Sequence, residues 1–136
     1  MAGTFATTVR NAMLDHFTGK ASWSMPAAVY VGLSSTTPTS GGSNVTEPSG
    51  GNYARVQVTA AQFTSASSGA TETNTDKSFS QANADWLSGV NLTHLVIYDA
   101  ASSGNFQGFA SLAVAKPVFS ADTAKINSGD LDMSIA

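Results

Sequence analysis

The segment that decides the fold is LTHLVIYDAASSGNFQGFASLAV, residues 92–114. Its two arms, 92–98 and 106–114, are apolar at nearly every position, and residues 99–105 between them are small or turn-forming. Two apolar runs that flank a Gly- and Ser-rich loop predict a β-hairpin. Because neither arm alternates cleanly between apolar and polar residues, the pattern predicts strands that are covered on both faces.

Runs with strand character lie on both sides of this hairpin. Residues 28–33, AVYVGL, form a β-branched and aromatic run that ends at a turn-rich segment. Residues 53–60 alternate, which predicts a half-buried strand. One face of this strand carries Ala54, Val56 and Val58. Weaker strand signals lie in three other segments: 64–78, with Thr71, Thr73 and Thr75; 125–127; and 130–136, where Leu131, Met133 and Ile135 are expected to face inward.

The first segment of the chain has the period of a helix. Four apolar side chains recur at intervals of four residues: Phe5, Val9, Met13 and Phe17. Thr4 is a suitable N-cap, and Gly19 suits the position just past the last helical turn. The pattern therefore predicts an amphipathic helix over residues 4–18, whose apolar stripe packs either on the protein's own sheet or on another subunit.

The order of these elements predicts a mainly β fold. One N-terminal amphipathic α-helix precedes about six to eight short strands, which favours an antiparallel β-sandwich or a barrel-like domain. The chain has 136 residues, the ordinary size of one domain. We expect residues 1–136 to form a single domain, with the helix at 4–18, a β domain at 28–136, and long loops near 36–52 and 99–105.

Composition restricts the classes of partner. Only 11% of the residues are charged, the net charge is -3, and the six cations are scattered singly along the chain. Nucleic acid is therefore not an expected partner, because phosphate binding needs a basic patch. No apolar run approaches the roughly 20 residues that span a bilayer, so no membrane contact is expected. The 34 serines and threonines predict an uncharged, hydroxyl-rich surface.

Residues that could carry chemistry are few. The chain has no cysteine, which excludes disulfides and thiolate metal sites, and its two histidines, His16 and His94, lie in no catalytic motif. Asp130 and Asp132 share a strand face and could bind calcium with Ser128, although a solvated face is the ordinary interpretation. We expect no catalytic residue, no metal and no cofactor.

The two tryptophans are candidates for contact with a partner. Trp23 follows the predicted helix, and Trp86 lies in a polar segment. Each could close the protein's own core, contact another subunit or stack on a sugar, and core closure is the ordinary interpretation. Together with the helix stripe they complete the set of predicted partner-contact residues: Phe5, Val9, Met13, Phe17, Trp23 and Trp86.

Several short motifs resemble a family of small bacteriophage virion structural proteins, loosely described as head-decoration or tail-fibre proteins. The motifs are Leu14-Asp15-His16, the run 30–34 leading into 36–39, residues 51–56, Trp86, residues 97–100, and Gly104-Asn105. They extend over nearly the whole chain. The resemblance implies a non-enzymatic, mostly β building block of a virion that is used in many copies.

Under this resemblance, a capsid decoration protein is the leading expectation. Such a protein stabilises the shell by adding buried interface between capsomers. Its partners would be the major capsid protein and copies of itself in a homotrimer, contacted through the helix, the 38–52 loop and a sheet edge, with 99–105 pointing outward. The alternative is a tail or tail-fibre component that contacts other tail proteins or a host surface glycan.

Overall fold

The computed structural model describes residues 1–24 and 26–135. Within these ranges it contains one α-helix, nine β-strands and two short 3-10 turns. The elements in chain order are β1 (Ala2–Phe5), α1 (Thr7–Phe17), β2 (Val29–Ser34), β3 (Val56–Val58), a 3-10 turn (Ala60–Gln62), β4 (Ala70–Glu72), β5 (Lys77–Ser78), a second 3-10 turn (Trp86–Gly89), β6 (Leu92–Tyr98), β7 (Phe106–Lys116), β8 (Lys125–Ile126) and β9 (Asp132–Ser134).

Seven of the strands form one sheet that curls into a half-barrel. Their order is β3-β2-β6-β7-β1-β9-β4, and β5 pairs with β8 in a separate two-stranded sheet. Neighbouring strands are antiparallel except for β1 and β9, which are parallel. The predicted fold class, mainly β and barrel-like with one N-terminal helix, is therefore confirmed.

The predicted hairpin of β6 and β7 lies in the middle of this sheet. Leu95 and Val96 are consecutive in β6, so they face opposite sides of the sheet, and both are fully buried. The expectation that both arms are covered on two faces is therefore right for β6. It is wrong for the second half of β7, where three extra residues form a bulge between Ser111 and Lys116 and leave Val114 exposed.

The main core lies on one face of the half-barrel, and the small β5–β8 sheet contributes to it. Trp86, Leu95 and Leu131 are among its most completely buried side chains. The inward orientation of Leu131 and Met133 is confirmed, but Ile135 is exposed. Ile135 lies beyond the end of β9, and its backbone N–H bonds to the carbonyl of Gly69, so the inward alternation stops at Met133.

The start of the helix differs from the prediction. Residues 2–5 form β1, which pairs with β7 and β9, and α1 begins only at Thr7. Thr4 is therefore not the N-cap: Ala6 holds that position with no side-chain cap. The backbone N–H of Thr7 instead donates to the carbonyl of Ser40, 2.9 Å away, so a loop supplies the missing cap.

The end of the helix follows the prediction. Gly19 has a φ of +76°, the left-handed conformation that glycine adopts without strain. Its N–H donates to the carbonyl of His16, and the N–H of Lys20 donates to that of Asp15. These two bonds form a Schellman motif, which satisfies carbonyls that the helix leaves open at its end.

The predicted strand over 53–60 is shorter in the structure. Only Val56–Val58 forms a strand, β3, and Tyr53 packs partly against the core from the preceding loop. The threonine-rich segment 64–78 supplies two very short strands, β4 and β5, and a 3-10 turn begins at Trp86. The turn-rich residues in this half of the chain keep its strands short.

Candidate functional site

One candidate for partner contact is the outer side of α1. The helix buries only Val9 among its residues. Phe17 is 87% exposed and Leu14 is 61% exposed. Because residues three apart lie side by side on a helix, these two side chains form one apolar surface, which we call the helix face. Large apolar side chains left in water on one helix side are typical of a surface that another molecule covers.

The four residues of the predicted stripe have different environments. Phe5 is half-buried in β1 against the main core, Val9 is buried, and Met13 is half-buried. Phe17 points into solvent. The N-terminal part of the stripe therefore packs on the protein's own subunit, and its C-terminal residue, Phe17, faces solvent. Contact of these residues with a partner stays a prediction.

Trp23 lies beside the end of α1. Its backbone N–H donates to Nδ1 of His16, 3.2 Å away, and its side chain is half-buried. The hydrogen bond places Trp23 next to the last turn of the helix. A half-buried indole beside an exposed apolar surface remains a candidate for partner contact.

Trp86 has the ordinary role, closure of the protein's own core. Its side chain is 1% exposed, and Nε1–H donates to the carbonyl of Gly51 at 2.8 Å. The indole meets Tyr53 edge-on, with ring centres 5.1 Å apart, and meets Phe79 in a similar way. A ring buried in this manner presents no surface to a sugar or to another subunit.

A cluster of polar side chains joins the long loops at one end of the half-barrel. Arg55 binds Glu47 with two parallel hydrogen bonds, Nε to Oε1 at 3.0 Å and Nη2 to Oε2 at 2.5 Å. The Nη1 atom of Arg55 donates to the carbonyls of Ala100 at 3.1 Å and Ser103 at 2.8 Å. The guanidinium carbon also lies 3.5 Å from the centre of the Tyr98 ring. One arginine therefore holds two loops together.

Tyr53 connects this cluster to the sheet. Its hydroxyl donates to Oε1 of Glu47 at 2.7 Å and accepts the backbone N–H of Leu33 at 2.9 Å. A side chain on Gly32 would collide with the Glu47 carboxylate and the Tyr53 hydroxyl, so only glycine fits there. We call Glu47, Tyr53, Arg55 and Tyr98 the polar lock.

The titration behaviour of the polar lock agrees with its geometry. Burial raises the pKa of Tyr53, and the neighbouring Glu47 raises it further, so the phenol stays protonated. Burial alone would lower the pKa of Arg55, but the hydrogen bonds and charge of Glu47 outweigh that effect and raise it. Burial also raises the pKa of Tyr98, so both phenols of the lock stay protonated.

The loop that follows β2 is held by hydroxyl groups. The Oγ atom of Ser34 accepts the N–H of Thr46 at 3.1 Å, and the N–H of Ser35 donates to the Thr46 carbonyl at 3.0 Å. Gly42 packs against Phe106, where a side chain at position 42 would collide with the ring. The loop is therefore folded onto the start of β7 and fixed at its base.

The hairpin loop has its own internal connection. Both carboxylate oxygens of Asp99 accept hydrogen bonds from Asn105, one from the backbone and one from the side chain, each at 2.7 Å. The side-chain bond, followed by the backbone bond, lowers the pKa of Asp99, so its carboxylate stays ionised. We call residues 36–47 and 99–105 together the loop end.

Sequence reasoning did not find the polar lock. Glu47 and Arg55 are eight residues apart in a loop, and nothing local shows that they meet Tyr98. The composition nevertheless offers a signal for the Glu47–Arg55 pair. In a chain with only 11% charged residues, an arginine close in sequence to a glutamate is unusual. Such charges tend to be paired when they are buried.

The residues considered for chemistry do not form a reactive site. His94 is buried, and its ring nitrogens contact the hydroxyls of Thr93 at 2.8 Å and Ser111 at 3.3 Å. Asp130 accepts two hydrogen bonds from Asn127 and so belongs to a turn. Over residues 1–24 and 26–135, no group of three potential metal ligands comes together.

The buried histidine predicts a dependence of stability on pH. Burial lowers the pKa of His94 below its ordinary 6.5, so the unfolded chain binds a proton that the folded protein resists. The contribution of the neutral His94 to the free energy of unfolding should therefore be fully present above pH 6.5 and should decrease as the pH falls below that value. Urea unfolding at pH 7.5 and 5.5 measures the difference, which should shrink in His94→Gln. It should persist in the control His16→Gln, and an unchanged difference in His94→Gln would contradict the assignment.

A cleft of about 480 Å³ lies beside the bulge of β7. Leu33, Leu92 and Leu95 form part of its lining and are almost fully buried. Three of the charged side chains that line it are engaged: Lys125 pairs with Asp76, Asp130 holds its turn, and Asp122 accepts the backbone N–H of Phe119. Of the charged side chains in its described lining, only Lys116 is left without such a bond, so no set of free ionisable groups converges there.

Comparison with known families identifies the family to which the chain belongs. The family model for Podophage GP4 fiber I protein gp80 matches residues 4–134. The chain belongs to this family. Members of the podophage fiber I family are phage structural proteins, so the resemblance to virion proteins is confirmed. No curated protein matches the chain. Among its described helices, none has the length and apolarity to cross a bilayer.

Proposed function

We propose that this chain is a subunit of a phage tail fibre that acts by binding neighbouring proteins and catalyses no reaction. The observation that carries the proposal is the match to a podophage fiber family over residues 4–134. The geometry supports it, because both histidines and most carboxylates of the described chain are held in structural hydrogen bonds and the cleft lacks a converging set of free ionisable groups.

The helix face is the surface that we assign to assembly. Burying a large apolar side chain contributes about 1.5–3 kcal/mol, so Leu14 and Phe17 could supply a substantial share of the binding free energy. Aromatic and large apolar residues at the centre of an interface commonly dominate binding. The neighbour is a second copy or another tail protein, and a homotrimer remains one of the arrangements that this surface permits.

The location within the virion separates this proposal from capsid decoration. The sequence favoured a shell protein that contacts the major capsid protein, whereas the family description names a fibre. Gold-labelled antibodies against the chain, bound to intact particles and imaged by electron microscopy, should mark the tail region. Label spread over the capsid surface would instead support the decoration role.

A substitution on the helix face tests the assembly surface. Phe17→Ser removes an exposed apolar ring without touching the core, so the protein should fold normally. We expect at least a tenfold loss of incorporation into particles when this variant complements a phage that lacks the gene. Ile135→Ser changes another exposed apolar residue, just past the end of β9, and is the matched control. Normal incorporation of Phe17→Ser would contradict the assignment.

A further inference from the structure

We propose that the helix face of one subunit docks into the cleft beside the bulge of β7 on a second copy of the chain. This inference rests on the proposed function, because it names the partner of the helix face. Three observations carry it: an apolar cleft that the fold leaves open, projecting apolar side chains on the helix, and free charges of opposite sign beside the two surfaces. We call this cleft of about 480 Å³ the bulge cleft.

The bulge of β7 explains why the cleft is open. Residues 112–115 lie opposite a single residue of β6, Thr93, and on the other side β1 pairs with β7 only at residues 108–110. In the part of the chain that the structure describes, residues 112–115 therefore have no regularly paired strand on either side. Ala113 and Val114 are exposed there and line the cleft. An apolar strand segment that its own subunit leaves uncovered is available to another chain.

The lining of the bulge cleft is suited to apolar side chains. Leu33, Leu92 and Leu95 belong to the main core and also line the cleft, and Leu112 and Val118 extend this apolar lining. Clefts of roughly 300–1,000 Å³ hold drug-sized molecules, so this one has room for leucine and phenylalanine side chains. Filling it with such side chains removes apolar surface of both partners from water, which favours binding.

The helix face supplies side chains that project into solvent. Phe17 is the most exposed large apolar side chain of the described chain, and Leu14 lies beside it. Phe17 is also the last residue of α1, so no following helical turn shields its ring. A projecting apolar side chain and a recess elsewhere on the same molecule make a contact between two different surfaces. Repetition of such a contact gives a closed ring or a filament.

The charges beside the two surfaces are complementary. Asp15 follows Leu14 on the helix, Lys116 lines the cleft, and both are exposed. The ion pairs within the described residues use other side chains, so these two charges are free to pair across the contact. Arg10, one turn before Leu14, and Asp122, in the cleft lining, add a second pair of opposite sign. Opposite charges at the rim of an interface favour one orientation of the partners.

Cross-linking of two single-cysteine variants tests the proposal. The chain has no cysteine, so each introduced thiol reacts alone. Asn11→Cys places a thiol beside Leu14, and Ala113→Cys places one in the cleft lining, both at exposed positions. A mixture of the two purified full-length proteins, treated with a short bismaleimide, should give a cross-linked dimer. Either protein alone should give none, because the contact joins two different surfaces.

The matched control replaces the cleft variant. Ser102→Cys carries an exposed thiol on the hairpin loop, outside the bulge cleft, and should give no dimer with Asn11→Cys.

Reversing the charges at the rim tests the orientation. Asp15→Lys, added to the Asn11→Cys protein, places a cation opposite Lys116 and should lower the yield of dimer at least fivefold. Lys116→Asp, added to the Ala113→Cys protein, should restore the yield by making the charges opposite again. Circular dichroism should show unchanged folding, because both positions are exposed.

The results separate this inference from the proposed function. If Phe17→Ser fails to enter particles but no cross-link forms between positions 11 and 113, the helix face serves assembly through another tail protein, and only this inference is overturned. A dimer of Asn11→Cys with itself would also overturn it, because two helix faces would then meet. A yield unchanged by Asp15→Lys would contradict the proposed orientation.

Discussion

Replacing Arg55 by alanine is expected to lower the free energy of unfolding by about 3 kcal/mol. The side chains of Arg55 and Glu47 are only 10% and 18% exposed, so the substitution leaves a carboxylate largely buried without its partner. Removing one member of a buried ion pair typically destabilises a protein by about 3–5 kcal/mol. The lower end applies here because Glu47 retains its bond from Tyr53. Urea unfolding monitored by tryptophan fluorescence measures the loss.

A double substitution shows whether the buried charge causes this effect. Glu47→Gln combined with Arg55→Met removes both charges, so it should recover part of the stability that Arg55→Ala loses. Hydrogen exchange should also show faster opening of both loops in Arg55→Ala, because the arginine connects them. A loss confined to one loop, or a double variant as unstable as the single one, would contradict this account of the polar lock.

Replacing Trp86 by alanine is expected to lower the free energy of unfolding by about 3–5 kcal/mol, the usual range for a large aromatic in a core. The substitution removes a ring that packs against Tyr53 and Phe79, and it leaves the carbonyl of Gly51 with only the backbone N–H of Asn83 as a donor. Chemical denaturation measures the change. Trp23→Ala is the control, because Trp23 is half-buried at the end of the helix and lies outside the main core.

The two tryptophans should also differ in fluorescence. The protein with only Trp86 should emit at shorter wavelength than the protein with only Trp23, since its indole is shielded from water. Comparable losses of stability in the two alanine variants would show that Trp86 is less central than its contacts indicate.

The hairpin of β6 and β7 could be predicted because its signals are local. A continuous apolar run and a loop of turn-forming residues occur within one segment of sequence, as do the helical period and the glycine that ends α1. Strand β1 could not be predicted in this way. Phe5 fits the spacing of the following helix, and only pairing with β7 and β9, distant in the chain, makes residues 2–5 a strand.

The polar lock depends on the fold in the same way. Its residues come from loops that approach one another only after the sheet has formed, so no spacing in the sequence indicates their contact. Yet three of the motifs that carried the family resemblance, 30–34, 51–56 and 97–100, supply Gly32, Arg55 and Tyr98 to this region. These three motifs therefore include residues that hold the loops together.

The position of β1 inside the sheet, between two strands from late in the chain, determines when the sheet can form. Its neighbours are β7 and β9, and Ala2 pairs with Asp132. Among the described strands, β1 is therefore synthesised first but pairs with β9, which is synthesised last. A ribosome adds about 5–20 residues per second, so β1 spends seconds without either neighbour during synthesis. Pairing between such distant segments is also slow because a long loop must close. This subunit should therefore reach its native state, and become competent for particle assembly, only after translation has passed β9.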